Sequence, residues 1–244
     1  MIGASIIERL SQKYPNSIFI KLQNVKKLDT ETNLIMNKIG SVIKSSNIKP
    51  ILLLQISGND FFPAIPLPGH AHFKYTPDFL PNIIQKYLDF AKKIYATYGL
   101  KIILLAPFPR LTVPICNCNQ SISYQDSVQT THLIETIVEE RLQSYSSEVK
   151  NHLYVLKSNI YLRQALSNKE FFYKLLQENM INKTSKIEKL AKRDSYVKIL
   201  YESTFLGPDQ THLTCLGEKI LVDAIRGVLA RLRIPVSAPD IDRG

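Results

Sequence analysis

The chain has 244 residues, 45% of them hydrophobic and 21% charged, which is enough for one sizeable core. Thirty-one basic residues against twenty-one acidic ones leave a net charge of +10, and the three cysteines are too few for a disulfide scaffold. No apolar stretch approaches the ~20 residues needed to cross a bilayer, and the first residues lack the charged start and apolar run of a signal peptide.

In chain order, residues 1–4 read as a short strand, and Ile6-Ile7-Glu8-Arg9-Leu10 has helical character. Ser5 therefore falls where a strand turns into a helix, a position that exposes a hydroxyl beside backbone N–H groups and favours developing negative charge. Taken alone, a serine there is an ordinary helix N-cap. A strand at 18–22 and a helix at about 30–46 follow, the latter carrying Leu34, Ile35, Ile39, Val42 and Ile43 at helical spacing with Gly40 as a packing residue. The run Ile51-Leu52-Leu53-Leu54-Gln55-Ile56 reads as a strand buried on both faces of a parallel sheet.

That strand leads into Ser57-Gly58-Asn59-Asp60. Ligands in open α/β sheets bind beyond the carboxyl ends of strands, which puts Gly58 and Asn59 at a crevice. The neutral amide of Asn59 can aim an N–H at an oxyanion without bringing a competing charge, although Gly-Asn-Asp is also ordinary turn chemistry. A proline-rich, aromatic loop at 61–81 leaves this block and is expected to wall the crevice. His70 and His72 lie in it without a Cys or carboxylate cluster to complete a metal site.

A helix bearing Ile83, Ile84, Tyr87, Leu88, Ala91, Ile94 and Tyr95 then leads to a strand at 101–106. Residues 107–120 read as a second loop at the pocket edge, containing Cys116 and Cys118, which are too close for an unstrained bridge. A helix carrying Val128, Leu133, Ile134, Ile137, Val138 and Leu142 and a strand at 153–156 come next. A basic helical insertion at 167–202 includes Lys183, Lys186, Lys189, Lys192 and Arg193. Last, Leu216, Ile220, Leu221, Ala224, Ile225, Val228, Leu229 and Leu232 repeat at helical spacing. Asp209 and His212 precede that helix, three residues apart, so a carboxylate can hold one imidazole nitrogen while the other faces a hydroxyl.

The alternation of strand and helix predicts a single domain over 1–236 with a tail at 237–244. Its architecture is an α/β, three-layer α/β/α sandwich around a mainly parallel five-stranded sheet.

Gly-x-Ser at the first strand, Gly-Asn-Asp after a central strand and Asp-x-x-His before the last helix together resemble the SGNH/GDSL hydrolase family, whose sheet is flavodoxin-like. The resemblance runs from Gly3 to about Leu232. It implies Ser5 as nucleophile, Asn59 in the Gly58 block as an oxyanion donor, Asp209 and His212 as the other triad members, and the Ser5 N–H as a second donor. Two positions depart from the family pattern. Ala4 stands where an Asp usually precedes the serine. No glycine follows the second strand in Leu22-Gln23-Asn24-Val25-Lys26-Lys27, so Asn24 would supply that oxyanion N–H only by adopting a positive φ. Only four residues precede Ser5, which is compatible with a fragment, an internal start or a domain cut from a longer protein.

The expectation is a serine esterase acting on a small acyl ester, carried on a sugar or lipid, that needs no cofactor or metal. A reduced, cytoplasmic compartment is favoured by the few cysteines and the lack of a signal peptide. The alternative is an SGNH-fold binding module of weak or no activity that holds nucleic acid through its basic insertion. No nucleic-acid motif accompanies those lysines, so this reading is not favoured.

Overall fold

The computed structural model describes residues 1–3, 5–12, 17–47, 49–56, 60, 79–108, 112–115, 118–121, 124–156 and 212–232. The basic insertion, residues 61–78 of the proline-rich loop and the C-terminal tail lie outside these residues, whereas 79–81, expected to close that loop, already belong to the helix that follows it.

Five strands form one parallel sheet: β1 (Ile2–Gly3), β2 (Ile20–Lys21), β3 (Ile51–Gln55), β4 (Lys101–Leu105) and, in the numbering below, β7 (Leu153–Leu156). Their order is β2-β1-β3-β4-β7 and every neighbouring pair is parallel. The connecting helices are α1 (Ser5–Gln12), α2 (Val25–Ser45), α3 (Phe79–Tyr98), α4 (Tyr124–Gln143) and the one-turn α5 (Ser147–Lys150). The last, α6, spans Cys215–Arg231. The expected α/β sandwich with a five-stranded parallel sheet is the fold observed.

Strand residues alternate between faces, and the core divides accordingly. Leu52, Leu54 and Ile56 join Ile2, Ile20, Leu22, Ile102, Leu104 and Leu153 in one cluster with the buried faces of α2, α3 and α4. Leu53, Gln55, Ile103 and Leu105 are equally buried but point the other way. Ile7 of α1 meets that second face beside Gln55 at Gly3, and α6, which touches β7, buries the apolar stripe Ile220, Leu221, Ala224, Ile225 and Val228. A strand buried on both sides must be apolar throughout, which is why β3 reads as an uninterrupted hydrophobic run.

Helix α3 ends on Gly99, whose φ of +60° is a left-handed conformation that costs glycine nothing and other residues more. Its N–H donates to the Tyr95 carbonyl at 2.6 Å and terminates the helix so that β4 can begin two residues later. Pro81 occupies the third position of α3, inside the first turn, where a missing N–H leaves no hydrogen bond unmade.

Residues 107–120, expected as a loop, contain a two-stranded antiparallel hairpin instead: β5 (Thr112–Ile115) pairs with β6 (Cys118–Ser121) in the register Thr112↔Ser121 to Ile115↔Cys118. Pro114 sits in β5 opposite Asn119, and its lack of an N–H is tolerable because an isolated hairpin is all edge. Among the described residues no helix is long and apolar enough to cross a membrane.

Candidate functional site

Three chain segments leave the C-terminal ends of adjacent strands. Ile2 pairs with Leu54 and with Ile20, so β1 lies between β3 and β2 with all three pointing the same way. The N–H of Leu22 donates to the Gly3 carbonyl at 2.7 Å, which carries the β1–β2 pairing to the strand end. On β4 the pairing likewise persists, with Ile56 N–H donating to Leu105 at 2.9 Å. From this edge the chain continues into Ser5 after β1, Asn24 after β2 and the 57–60 block after β3. Neighbouring strands are about 4.8 Å apart, so these exits stand side by side.

Ser5 is the first residue of α1, as the strand-to-helix reading requires. The turn is held tightly beneath. A Cβ on Gly3 would come within 2.6 Å of Ile7 Cγ1 and 2.9 Å of both Cβ and Oε1 of Gln55, so only glycine allows α1 and β3 to approach β1 this closely. Gln55 is 2% exposed and is a buried amide directly under the nucleophile block, which the sequence had shown only as the polar member of an apolar strand.

Asn24 does not take the positive φ that an oxyanion role would ask of it. Its φ of −164° and ψ of 173° are extended, and its side-chain oxygen accepts the Lys27 N–H at 2.9 Å as the N-cap of α2. The physical reason is that an Asn immediately before a helix gains more from satisfying an orphan donor than from a left-handed backbone. This also starts α2 at Val25, earlier than the apolar periodicity indicates.

Asp60 is the residue that sequence reasoning passed over. Both of its carboxylate oxygens lie 3.0 Å from the Val25 N–H, and Oδ2 accepts the Tyr87 hydroxyl at 2.8 Å. Tyr87 is completely buried in α3. A carboxylate at the first turn of α2 meets both an unsatisfied N–H and the positive end of the helix dipole. The bond joins the segment after β3 to the start of α2, which follows β2. The only hint in the sequence was an acidic residue closing the Gly-Asn-Asp turn.

His212 is half-buried and stands two residues before Thr214, the N-cap of α6, whose hydroxyl accepts the Gly217 N–H at 3.2 Å. The last residues of α6, Val228, Arg231 and Leu232, line a cleft of about 580 Å³ with Leu142 and Gln143 of α4 and with Lys150 and Leu153, where β7 begins. Helix α6 thus ends at the N-terminal end of the strands. Glu218, 6% exposed, lies in the first turn of α6, and Cys215 opens it as an exposed free thiol.

The Ser5 side chain, Gly58, Asn59 and Asp209 lie outside the described residues, as do His70 and His72. Among the described residues no group of three or more His, Cys, Asp or Glu side chains is arranged to hold a metal ion. No family model, curated protein or solved structure matches this chain.

Proposed function

We propose that the chain is a serine esterase that cleaves a small acyl ester. Ser5 Oγ attacks the ester carbonyl while His212 takes its proton, and Asp209 orients the imidazole. The tetrahedral oxyanion is held by the Asn59 amide and the Ser5 N–H. His212 then gives its proton to the departing alcohol, and water repeats the cycle on the acyl-enzyme, regenerating the Ser5 hydroxyl and releasing the acid. Asn24, committed to capping α2, has no part in the oxyanion hole on this reading.

The observation that supports the proposal is the strand order β2-β1-β3: Ser5 opens the helix that follows β1, and the 57–60 block follows β3, the neighbour of β1 in the sheet. Chemistry of this kind needs those segments together at the carboxyl ends of the strands. Without a glycine after β2 the hole has one donor fewer than the family pattern. Loss of one donor typically slows turnover about a hundredfold to a thousandfold without abolishing it.

Hydrolysis of a short-chain nitrophenyl ester, compared between wild type, Ser5→Ala and His212→Ala, tests the reading. The expected result is loss of turnover by about a thousandfold or more in both variants, with circular dichroism unchanged. Equal rates in wild type and Ser5→Ala would remove the enzyme.

A further inference from the structure

We propose that Asp60 is a positioning residue for the oxyanion hole, acting through Asn59. This rests on the esterase reading and adds to it the device that holds the hole in place. One peptide bond links Asp60 to Asn59, so whatever fixes Asp60 limits where the Asn59 amide can be. Among the described residues two donors hold it: the Val25 N–H reaches both carboxylate oxygens at 3.0 Å, and the Tyr87 hydroxyl reaches Oδ2 at 2.8 Å.

The two donors come from rigid places. Val25 is the first residue of a 21-residue helix, and Tyr87 is buried in the middle of a 20-residue helix. The strand preceding the block is no freer, since Leu54 and Ile56 are each at most 1% exposed. Asn59 thus lies in the chain between two fixed points, Ile56 three residues before it and Asp60 immediately after it.

The placement of the bond argues for more than stability. It ties the segment after β3 to the start of α2 after β2, and these are the two strands that flank β1, from which Ser5 departs. An oxyanion donor is useful only when held ready at the place where charge develops, and a displacement of about 1 Å can cost on the order of a hundredfold in rate. With the β2 exit used as a helix cap, the Asn59 side chain is the hole's remaining side-chain donor, and its placement counts for more.

Three variants test this. Tyr87→Phe deletes one hydroxyl and keeps the ring. Val25→Pro removes the N–H at the first helical position, where proline is tolerated, and the extended Asn24 before it suits a following proline. Asp60→Asn removes the charge.

The expected result is a fall in kcat of about tenfold for each single donor deletion, with KM within about twofold. In an Asn59→Ala background the same Tyr87→Phe or Val25→Pro step should change kcat no further, because the group being positioned is gone. A loss as large in the Asn59→Ala background as in wild type would show a general structural role and overturn the proposal. So would undiminished kcat in all three variants. Should Tyr87→Phe fail to fold, Val25→Pro carries the same comparison. Absence of Ser5-dependent hydrolysis in the wild type is a different outcome: it overturns the esterase reading, and the catalytic purpose of the clamp with it.

Discussion

At the scale of single residues, the site edge is built by close contact. Gly3 has no space for even a methyl group, because Ile7 and the buried Gln55 close on it from α1 and β3. Gly3→Ala should therefore force α1 away from the sheet, at a cost of about 1–3 kcal/mol, the usual range for overpacking a tight core. A urea titration measures this. Because α1 begins at Ser5, ester turnover should fall with it by more than the small loss of folded protein explains. A midpoint equal to wild type would mean that the Gly3–Ile7–Gln55 contact is looser than these distances state. Glycine before the serine was visible in the sequence as a motif. Its steric reason was not, since Ile7 and Gln55 are brought to it by helix return and by strand pairing.

At the scale of elements, α6 couples stability to the proposed base. Its N-cap Thr214 accepts from Gly217 N–H, and His212 lies two residues upstream. Replacing Thr214 by Ala should cost about 1 kcal/mol, typical of a lost N-cap, and loosen the entry that carries the imidazole. The melting temperature checks the first effect and kcat the second, while Thr214→Ser should restore both.

Which elements the sequence disclosed follows from how local their causes are. Strand β7 matches its expected span because its apolar run is bounded in sequence by polar residues, Asn151-His152 before it and Lys157-Ser158-Asn159 after it. The start of α2 lies earlier than its hydrophobic stripe because capping by Asn24 and the long-range bond from Asp60 set it, and periodicity reports neither. The β5–β6 hairpin escaped notice because Pro114 and the polar Cys118-Asn119-Gln120-Ser121 carry no alternation. Helix α5, a single turn capped by Ser146, is too short for any periodic signal.

At the scale of the whole molecule, the parallel sheet and its two helical layers were legible, because alternating strands and helices leave few other arrangements. The partnership of Asp60, Val25 and Tyr87 was not, since it joins positions 35 and 27 residues apart. Global stability carries a pH signature from the opposite edge of the sheet, where β1 and β2 begin. In a chain whose first residue is Met1, the α-amine donates to the Ile18 carbonyl at 2.6 Å, and burial lowers its pKa from 8.0 to about 6. The unfolded chain then binds more protons than the folded one between pH 6 and 8. The contribution is complete above pH 8 and is lost as pH falls to 6. Urea midpoints should rise across that window, and acetylation of the amine should flatten the rise.

The position of β1 between two later strands also sets an order on biosynthesis. A ribosome releases Ile2 before Ile20 and long before Leu54, so the earliest-made strand has no partner until its neighbours emerge. It stays sticky and unpaired while roughly fifty further residues are added, and the nucleophile's surroundings take shape only when β3 slides in on the far side. Slowing translation just after residue 60 should therefore lengthen the period in which a nascent chain is open to chaperones.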